Sequence, residues 1–376
     1  MVTPKIGVFG WYMHGNFGDE IMAIMIGRTL KSQGYRPVLY KLPRYLADAE
    51  ALESVDTLDA LTDGAAACVL GGGGLLVSAA ETMTPALLTL DDELSALAVL
   101  CASRSVPVWG VSLGGTGAGR QAKLYPGLAR LLGSGVVRGI TLRLEQDKPL
   151  IDAFDIPSEH YPDMVFLASD FWPAHQVDEP RRIVATNKIA GYWPGRRLIH
   201  FLDRFGPSVL GVEPRHLATR NAAFGEKAPS ALVGRADHHV PYRTVQQFSD
   251  LLPGVRVILS SKLHMGIFGM AYGAVFFSYG GKEKTRAQLR ELGLASHILS
   301  TRDLGGWVVR VRTGLSSELE ATATLVPALR TRARGHVTAL LEFVHAETAR
   351  GAMPATLSPD RAAAPSRGLR HGGAAA

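Results

Sequence analysis

Short β-branched runs alternate with helical segments along this chain, and that alternation is the feature that most constrains its fold. Ile6–Phe9 is predicted to be a strand, and Glu20–Ser32 a helix that stops before Gly34. The same alternation resumes with Val245–Leu252 as a helix and Val255–Leu259 as a strand. Strands separated by helices pair in parallel and place helices on both faces of the sheet. The pattern therefore predicts an α/β chain built on parallel sheets.

The remaining predicted elements follow the same order. The strands are Pro37–Tyr40, Ala67–Leu70 (ending in four glycines), Pro107–Val111, Ile140–Leu142, Val275–Phe277 and His297–Leu299; the helices are Glu93–Ala102, Gln121–Leu132, His264–Tyr272, Thr285–Leu292 and, mostly helical, Glu318–Ala346. Pro173–Pro241 mixes proline, glycine, arginine and aromatic residues, so no element is assigned there. Arg350–Ala376 has few large apolar residues and is predicted to be disordered.

A lysine and a histidine stand two residues apart at one predicted strand-to-helix junction. Ser261-Lys262-Leu263-His264 follows the strand Val255–Leu259 and opens a helix. In layered α/β proteins this junction is where ligands bind. A cation beside a titratable imidazole favours an anionic substrate and proton transfer. The alternative is a solvated Lys262 and a His264 that caps or packs.

A second motif, Gly15-Asn16-Phe17-Gly18-Asp19-Glu20, lies between the first strand and the first helix. Its glycines allow a ligand to approach the main chain closely. Asp19 and Glu20 fall in the first helical turn, where negative charge is favoured. The alternative is a tight turn with acidic capping. The glycine spacing is not that of a dinucleotide-binding fingerprint.

Together the two motifs resemble the polysaccharide pyruvyl transferase family, whose members carry a GNxGDE turn, a GGG turn, an S-R-L-H segment and a Y-x-x-K turn. The corresponding segments here are Gly15–Glu20, Gly71–Gly74, Ser261–His264 and Tyr279–Lys282, with weaker matches around Arg143 and Asp163. The chain departs from the family at Lys262, which is usually arginine, and at Met164 and Val275, which are usually proline. Lysine offers a point charge where arginine binds an anion through two nitrogens.

The resemblance implies a GT-B-like architecture, with two Rossmann-like parallel-sheet domains facing a cleft. We expect an N-terminal domain at 1–165 on the acceptor side and a C-terminal domain at 166–315 on the donor side. A helix at 316–349 would cross back to the first domain, ahead of a disordered tail at 350–376.

The chemistry implied by the resemblance is transfer of a pyruvyl group from phosphoenolpyruvate to sugar hydroxyls, which closes a ketal and releases phosphate. The acceptor would be a polysaccharide or its lipid-linked oligosaccharide precursor. His264 is the candidate acid, or the group that passes a proton to the leaving phosphate; Asp19 or Glu20 would accept the hydroxyl proton. The candidate substrate-binding residues are Lys262, Lys282, Asn16, Gly18, Gly72, Gly73, Arg143, Ser261 and Tyr279. No metal and no cofactor are implied beyond phosphoenolpyruvate as donor substrate.

Two other function classes share the predicted fold. A glycosyltransferase with a nucleotide-sugar donor would need an acidic residue late in the second domain to bind ribose, and Glu283 is the nearby candidate. A non-catalytic sugar-binding subunit would not need Lys262, His264 or Lys282.

Composition narrows the partners. The net charge of +6 suits an anionic donor or an acidic membrane surface. The chain lacks a stripe of lysine and arginine with interleaved aromatic residues, so nucleic-acid binding is not predicted. Cys68 and Cys101 lie in apolar runs, which predicts buried free thiols in a reducing cytoplasm. The sequence has no uninterrupted apolar run of about 18 residues, so we predict no membrane span. We therefore expect a cytoplasmic enzyme, in peripheral contact with the inner face of the membrane if its acceptor is lipid-linked.

Two further motifs carry less weight. Gly114–Gln121 approaches a phosphate-binding loop, but it lacks the lysine and the serine or threonine that such a loop uses, which argues against a nucleotide hydrolase. Asp237-His238-His239 are adjacent in sequence, and adjacent side chains diverge in extended backbone. We therefore predict surface histidines there instead of a metal site.

Overall fold

A computed structural model describes residues 3–76, 84–115, 124–174, 181–189, 191, 193–224 and 236–352. Within these ranges the strands form one sheet of seven and one sheet of six. The strand pairs of both sheets are parallel. The predicted pair of parallel-sheet α/β domains is confirmed, whereas the boundaries at 165 and 315 stay predictions.

The N-terminal domain alternates strands and helices as its sequence pattern predicts. Its strands are β1 (Lys5–Phe9), β2 (Arg36–Tyr40), β3 (Glu53–Val55), β4 (Ala65–Leu76), β5 (Val108–Gly115), β6 (Val137–Leu142) and β7 (Ser158–His160). Its helices are α1 (Phe17–Ser32), α2 (Arg44–Glu50), α3 (Leu58–Thr62), α4 (Pro85–Ser103), α5 (Pro126–Gly133) and α6 (Lys148–Asp152), with α7 (Ala168–Phe171) leading to the second domain. The strand order is β3-β2-β1-β4-β5-β6-β7.

The C-terminal domain has strand order β10-β9-β8-β11-β12-β13. The strands are β8 (Ile183–Asn187), β9 (Glu213–Asn221), β10 (His239–Tyr242), β11 (Val255–Ser260), β12 (Val275–Tyr279) and β13 (Ile298–Leu299). The helices are α8 (Trp193–Phe205), α9 (Val245–Leu251), α10 (Leu263–Ala271), α11 (Glu283–Glu291) and α12 (Leu304–Arg312). In the region left unassigned from its sequence, the described residues therefore form β8, β9, most of β10 and α8. Polar residues and prolines interrupt the apolar pattern of these segments, so the sequence alone does not identify them as strands.

β4 is longer than its sequence predicted. The predicted strand ends at Leu70, before the four glycines, whereas β4 continues through Gly71–Gly74 to Leu76. Gly71 pairs with Val111 of β5, and the register shifts between Gly73 and Leu76. Gly72 has φ 51° and Gly73 has φ 99°, in the left-handed region that favours glycine. The glycines are thus an irregularity inside the strand, of the kind that redirects its end.

The last helix, α13 (Ser316–Ala352), crosses back to the N-terminal domain and packs on it. His336 is fully buried and contacts the Thr141 hydroxyl at 2.8 Å, and the ring of Phe343 stacks on Trp109 at 5.2 Å. Pro327 lies inside the helix without ending it. The crossing helix is therefore as predicted, and residues 353–376 of the predicted tail lie outside the described ranges.

The start of α1 joins the domains. The ring of Phe17 lies 4.9 Å from that of Phe268 and 5.1 Å from that of Tyr242, both in the second domain. The Asn221 N–H donates to the Gly15 carbonyl at 2.9 Å. These contacts set the first motif against the second domain. Elsewhere, Cys68 and Cys101 are buried and free, as predicted.

Candidate active site

The sheet topology places both motifs at points where the strand order reverses. In the first sheet, successive strands are added on one side from β1 to β3 and on the other side from β4 to β7, so the order reverses between β1 and β4. In the second sheet the same reversal falls between β8 and β11. Ligands of open parallel sheets bind beyond the carboxyl ends of strands at such points. Gly15–Glu20 follows β1, and Ser261–His264 follows β11. The fold therefore supports an interdomain site built from these two motifs.

His264 lies where the two domains meet. It stands in the first turn of α10, and 11% of its side chain is exposed. Its Nε2 accepts a hydrogen bond from Arg143 Nη1 and lies 3.4 Å from Asp163 Oδ2. Arg143 and Asp163 both come from the first domain, so the site is assembled across the interface.

Gly18 allows this approach, because its backbone faces the imidazole directly. A Cβ at position 18 would lie 1.9 Å from His264 Nδ1. Asn16 holds the turn: its Oδ1 accepts from the Gly18 N–H at 3.4 Å, and its Nδ2 donates to Asp19 Oδ2 at 2.6 Å. The structure thus brings Asn16, Gly18 and Asp19 to the same place as His264.

Arg143 is a fully buried cation whose hydrogen-bonding capacity is partly unused. Its Nη1 donates to Asp163 Oδ2 at 2.9 Å, and neither side chain is exposed. Its Nε and Nη2 have no hydrogen-bond partner among the described residues. Gly114 permits this position, because a Cβ there would lie 2.4 Å from Arg143 Nε. Nε and Nη2 form one edge of the guanidinium, the arrangement that binds a carboxylate or phosphate through two bonds.

Burial and charge set the protonation states in this cluster. Burial lowers the pKa of His264, and the Arg143 charge adds to that effect, although Asp163 opposes it. Burial alone would raise the pKa of Asp163, but Arg143 and His264 hold it well below its ordinary value. At neutral pH the cluster is therefore a carboxylate, a guanidinium and a neutral imidazole.

Lys284 is a functional candidate that sequence reasoning missed. Gly74 allows its approach, since a Cβ at position 74 would lie 3.1 Å from Lys284 Nζ. Burial lowers the pKa of Lys284 to about 8, assisted by Arg143, Lys282 and Lys262 and opposed by Asp19. The signal in the sequence was a lysine in the first turn of a helix, where positive charge is unfavourable.

The glycine run of β4 also lies against the site. A Cβ at Gly73 would come within 2.9 Å of Asp19 Oδ1, and one at Gly72 would meet Met22 at 2.7 Å. Both positions also need left-handed backbone. The predicted glycines therefore admit Asp19, which lies between the two domains.

Lys262, Lys282 and Ser261 occupy the second-domain side. Lys262 and Lys282 are exposed and precede α10 and α11, respectively, as their N-cap residues. Both charges depress the pKa of Lys284. The Ser261 hydroxyl donates to the Lys188 carbonyl at 3.0 Å, which ties the loop after β11 to the end of β8.

Two predicted site residues lie elsewhere. Glu20 is fully buried, and its Oε1 accepts from the Tyr45 hydroxyl at 3.3 Å, so its carboxylate faces Tyr45. Tyr279 is 4% exposed, and its hydroxyl contacts Thr301 Oγ1 at 3.1 Å. The reason is orientation: Glu20 follows Asp19 by one residue and points to a different face of α1.

Two of the weaker sequence motifs have different outcomes. His238 is 6% exposed and contacts Asp203, so the prediction of surface histidines is wrong at this position. The fold brings His238 against Asp203 of α8, which sequence adjacency could not reveal. Most of Gly114–Gln121 lies outside the described residues.

The fold and the interdomain cluster define a class of protein, two parallel-sheet domains of the GT-B type with a polar site between them. The family model of polysaccharide pyruvyl transferases matches residues 16–282, which include both motifs. The chain belongs to the polysaccharide pyruvyl transferase family. Among curated proteins, none matches it.

Solved structures share the fold at low sequence identity. A putative UDP-N-acetylglucosamine 2-epimerase from Listeria monocytogenes is 10% identical, with a TM-score of 0.54 over 94% of this chain and 99% of that one. The Anabaena protein Alr3699/HepE, solved with UDP, is 7% identical, with a TM-score of 0.55 over 92% and 100%. The wall teichoic acid polymerase TagF is 10% identical, with a TM-score of 0.51 over 93% and 90%. These similarities concern the fold alone.

Membrane-spanning length is a separate matter. Among the described residues, no helix combines the length and the apolar character needed to cross a bilayer.

Proposed function

We propose that this protein transfers a pyruvyl group from phosphoenolpyruvate to two hydroxyls of a sugar, forming a cyclic ketal and releasing phosphate. The observation that carries the proposal is the Nε and Nη2 edge of buried Arg143, which has no partner within the described part of the chain and is held beside His264 and Asp163. A buried guanidinium with two unfilled donors is suited to a carboxylate or phosphate ligand. Phosphoenolpyruvate carries both groups.

The cations around the site fit the charge of that donor. Arg143 would bind one anionic group of the donor, and Lys262, Lys282 and Lys284 would face the other. Burial is the main cause of the lowered pKa of Lys284, at about 8, and the charges of Arg143, Lys282 and Lys262 lower it further. An anionic donor would neutralise the positive potential of these neighbours. Amides at the N-termini of α10 and α11 add to the same potential.

The first chemical step joins the sugar to the donor. One sugar hydroxyl oxygen bonds to carbon 2 of phosphoenolpyruvate as the methylene carbon takes a proton, and the hydroxyl proton leaves. We assign the proton donor to Lys284, which is largely protonated at neutral pH. Asp19 would accept the hydroxyl proton, since it lies against Gly73 at the interface. Glu20 is omitted because it is enclosed.

The second step closes the ketal. A second sugar hydroxyl bonds to the same carbon, the carbon–oxygen bond to phosphate breaks, and the proton from the hydroxyl goes to phosphate. His264 would relay this proton as a base that becomes an acid, because its lowered pKa keeps it neutral at the start.

The acceptor would be a sugar of a polysaccharide or of a lipid-linked precursor, bound on the side of the first domain. Because the donor is phosphoenolpyruvate, the reaction would take place in the cytoplasm, and at the inner face of the membrane if the acceptor is lipid-linked. The glycosyltransferase alternative is weakened at its candidate ribose ligand. Glu283 pairs with Arg286 at 2.8 Å and Arg290 at 2.7 Å on its own helix.

Donor binding provides the test. We expect phosphoenolpyruvate at 100 times its dissociation constant to stabilise the protein by about 2.7 kcal/mol, or about 3 °C in Tm for a chain of this length. UDP-sugars should give no shift. Stabilisation by a UDP-sugar and none by phosphoenolpyruvate would overturn the proposal in favour of a glycosyltransferase.

Variants of Lys262 locate the donor. Lys262→Ala removes one charge-assisted contact worth about 1.5–3 kcal/mol, so the affinity for phosphoenolpyruvate should fall by about tenfold or more. Lys262→Arg should retain or improve binding. Lys31→Ala is the matched control, because Lys31 lies in the last turn of α1 and donates to the Ala51 carbonyl. Equal affinities in Lys262→Ala and Lys31→Ala would remove Lys262 from the donor site.

A further inference from the structure

Three residues that are far apart in the chain converge beneath α8 in the second domain. Asp203 lies on α8, His216 on β9 and His238 just before β10. Their ligand atoms all lie within 4.8 Å of one another. Asp203 Oδ1 is 2.9 Å from His216 Nε2 and 2.8 Å from His238 Nδ1. We propose that Asp203, His216 and His238 form a divalent transition-metal site, for which Zn²⁺ is the best-matched ion.

Burial distinguishes this group from an ordinary surface ion pair. Asp203 is 4% exposed, His216 2% and His238 6%. The second carboxylate oxygen, Asp203 Oδ2, is buried and has no hydrogen-bond partner among the described residues. An unpaired buried carboxylate oxygen is costly. A metal ion would satisfy it, with the Asp203 carboxylate and two imidazole nitrogens as its protein ligands.

The spacing of the donors fits a small cation. Nitrogen and oxygen ligands lie about 2.0–2.2 Å from Zn²⁺, which puts tetrahedral ligands about 3.3 Å apart. The nitrogen-to-oxygen distances of 2.9 and 2.8 Å are shorter than that value, and all the ligand atoms lie within 4.8 Å of one another, so small side-chain shifts would enclose an ion. Two imidazoles with one carboxylate favour zinc or a neighbouring transition metal over Mg²⁺ or Ca²⁺, which prefer oxygen ligands alone.

Outer contacts of the histidines support the same assignment. The far nitrogen of His216, Nδ1, contacts the Thr186 hydroxyl. The far nitrogen of His238, Nε2, lies 3.8 Å from Asp237 Oδ2, beyond hydrogen-bond distance but close enough for a small shift to form the bond. Metal-bound imidazoles generally donate their other N–H to a hydroxyl, carbonyl or carboxylate. On metal binding each imidazole can move its proton to that outer nitrogen, which leaves the inner nitrogen to coordinate.

The site is separate from the interdomain cluster. Thr186 and His216 are paired in the sheet. Asn187, the next residue of β8, accepts a hydrogen bond from Ser260, which precedes the Ser261–His264 motif. Successive residues of a strand face opposite sides of the sheet. The metal would therefore join α8 to β9 and β10 on the face opposite that contact. We infer a structural ion that stabilises the second domain.

Metal binding by the full chain tests this inference. After dialysis against a chelator, the protein is titrated with Co²⁺, whose visible absorption reports four- or five-coordinate binding, and then with Zn²⁺ in competition. We expect one equivalent of Co²⁺ to bind, to be displaced by Zn²⁺, and Zn²⁺ to raise Tm by several degrees. Absence of stoichiometric Co²⁺ or Zn²⁺ binding by the wild-type chain would overturn the proposal.

Variants assign the ligands. His238→Gln and Asp203→Asn should each weaken Co²⁺ binding by tenfold or more and abolish the Zn²⁺ effect on Tm. His200→Gln, an exposed histidine on the same helix, should bind like wild type. Circular dichroism establishes which variants are folded, and either ligand variant suffices. A folded His238→Gln or Asp203→Asn with wild-type affinity would contradict the site. If neither variant folds, the wild-type stoichiometry decides.

Discussion

Glycines determine which side chains can meet between the two domains. Gly18 admits the His264 imidazole, Gly73 admits Asp19, and Gly114 admits Arg143. At each position a Cβ would lie 1.9–2.9 Å from the side-chain atom concerned. The glycines of the two motifs therefore act through the space they leave, and only Gly73 of these three also needs a left-handed backbone.

The first prediction tests this role at Gly18. Gly18→Ala places a methyl group 1.9 Å from the present position of His264 Nδ1, so the imidazole must move away from Arg143. We expect turnover to fall by about 10²-fold or more, as with loss of a proton-transfer group. Steady-state kinetics of the folded variant measure this effect. Gly305→Ala in α12, where a Cβ meets nothing within 4 Å, is the control and should behave like wild type. Full activity in Gly18→Ala would show that the position of His264 is unimportant.

The second prediction concerns the pH dependence of Lys284. Its pKa is lowered to about 8, so the ammonium that can donate a proton is lost as pH rises through about 8. We expect kcat/KM to fall with increasing pH above that value. Lys284→Arg keeps the positive charge at all accessible pH values but cannot donate, so it should lower turnover and abolish this limb of the profile. A wild-type limb that persists in Lys284→Arg would assign the titration to another group.

The third prediction concerns the stability cost of Glu20. Burial raises its pKa from 4.5 to about 7, although the nearby hydroxyls of Tyr242 and Tyr45 oppose the rise. The folded state therefore holds this proton more tightly than the unfolded state, and stability falls as pH rises from about 4.5 to about 7. Glu20→Gln should stabilise the protein at pH 8, by at most about 3 kcal/mol, and leave it unchanged at pH 4.5. Denaturant melts at the two pH values measure the difference; destabilisation at pH 8 would contradict it.

At the scale of elements, α13 connects the two domains by packing on the first sheet after it leaves the second domain. Gly335 lets the helix approach Tyr161, since a Cβ there would lie 2.2 Å from the ring. The next residue, His336, contacts the Thr141 hydroxyl and the Pro162 carbonyl at 2.8 and 3.0 Å. Burial lowers the pKa of His336 to about 4, so it packs as a neutral ring.

The fourth prediction compares two truncations of that element. A chain ending at Ala352 keeps the whole helix and should match the full chain in Tm and turnover. A chain ending at Arg334 loses His336 and the Phe343–Trp109 stacking, and should melt at least several degrees lower or fail to fold. Thermal melts of the two chains make the comparison. A large drop in Tm for the Ala352 chain would show that residues 353–376 contribute to packing.

Elements with apolar periodicity were predictable from the sequence, and elements defined by long-range burial were not. β11 and α10 follow from a β-branched run and the helix after it. β9 was not predictable, because His216, Asn221 and Arg215 interrupt its apolar pattern. Burial of His216 and Asn221 relies on groups elsewhere in the chain, Asp203 and the Arg243 carbonyl, respectively. The same limit applies to the site: local motifs indicated His264 and Asp19, whereas Lys284 and the enclosed Glu20 depend on how helices are oriented in three dimensions.

At the scale of the whole molecule, two domains share one polar cluster. His264 and the lysines belong to the second domain, and Arg143, Asp163 and Asp19 to the first. A donor held by both sets would bridge the domains, and an acceptor on the first-domain side would complete the site. The family model covers residues 16–282, which include residues of this cluster from both domains.

The most direct measurement follows a label from donor to sugar. Wild-type protein is incubated with isotope-labelled phosphoenolpyruvate and a panel of polysaccharide fragments and lipid-linked oligosaccharides, and both glycan mass and free phosphate are measured. We expect one labelled ketal on an acceptor for each phosphate released. His264→Ala should bind phosphoenolpyruvate within a few-fold of wild type but turn over about 10²–10⁴-fold more slowly. Normal turnover in folded His264→Ala, or transfer of a sugar from a nucleotide donor with none from phosphoenolpyruvate, would contradict the proposed reaction.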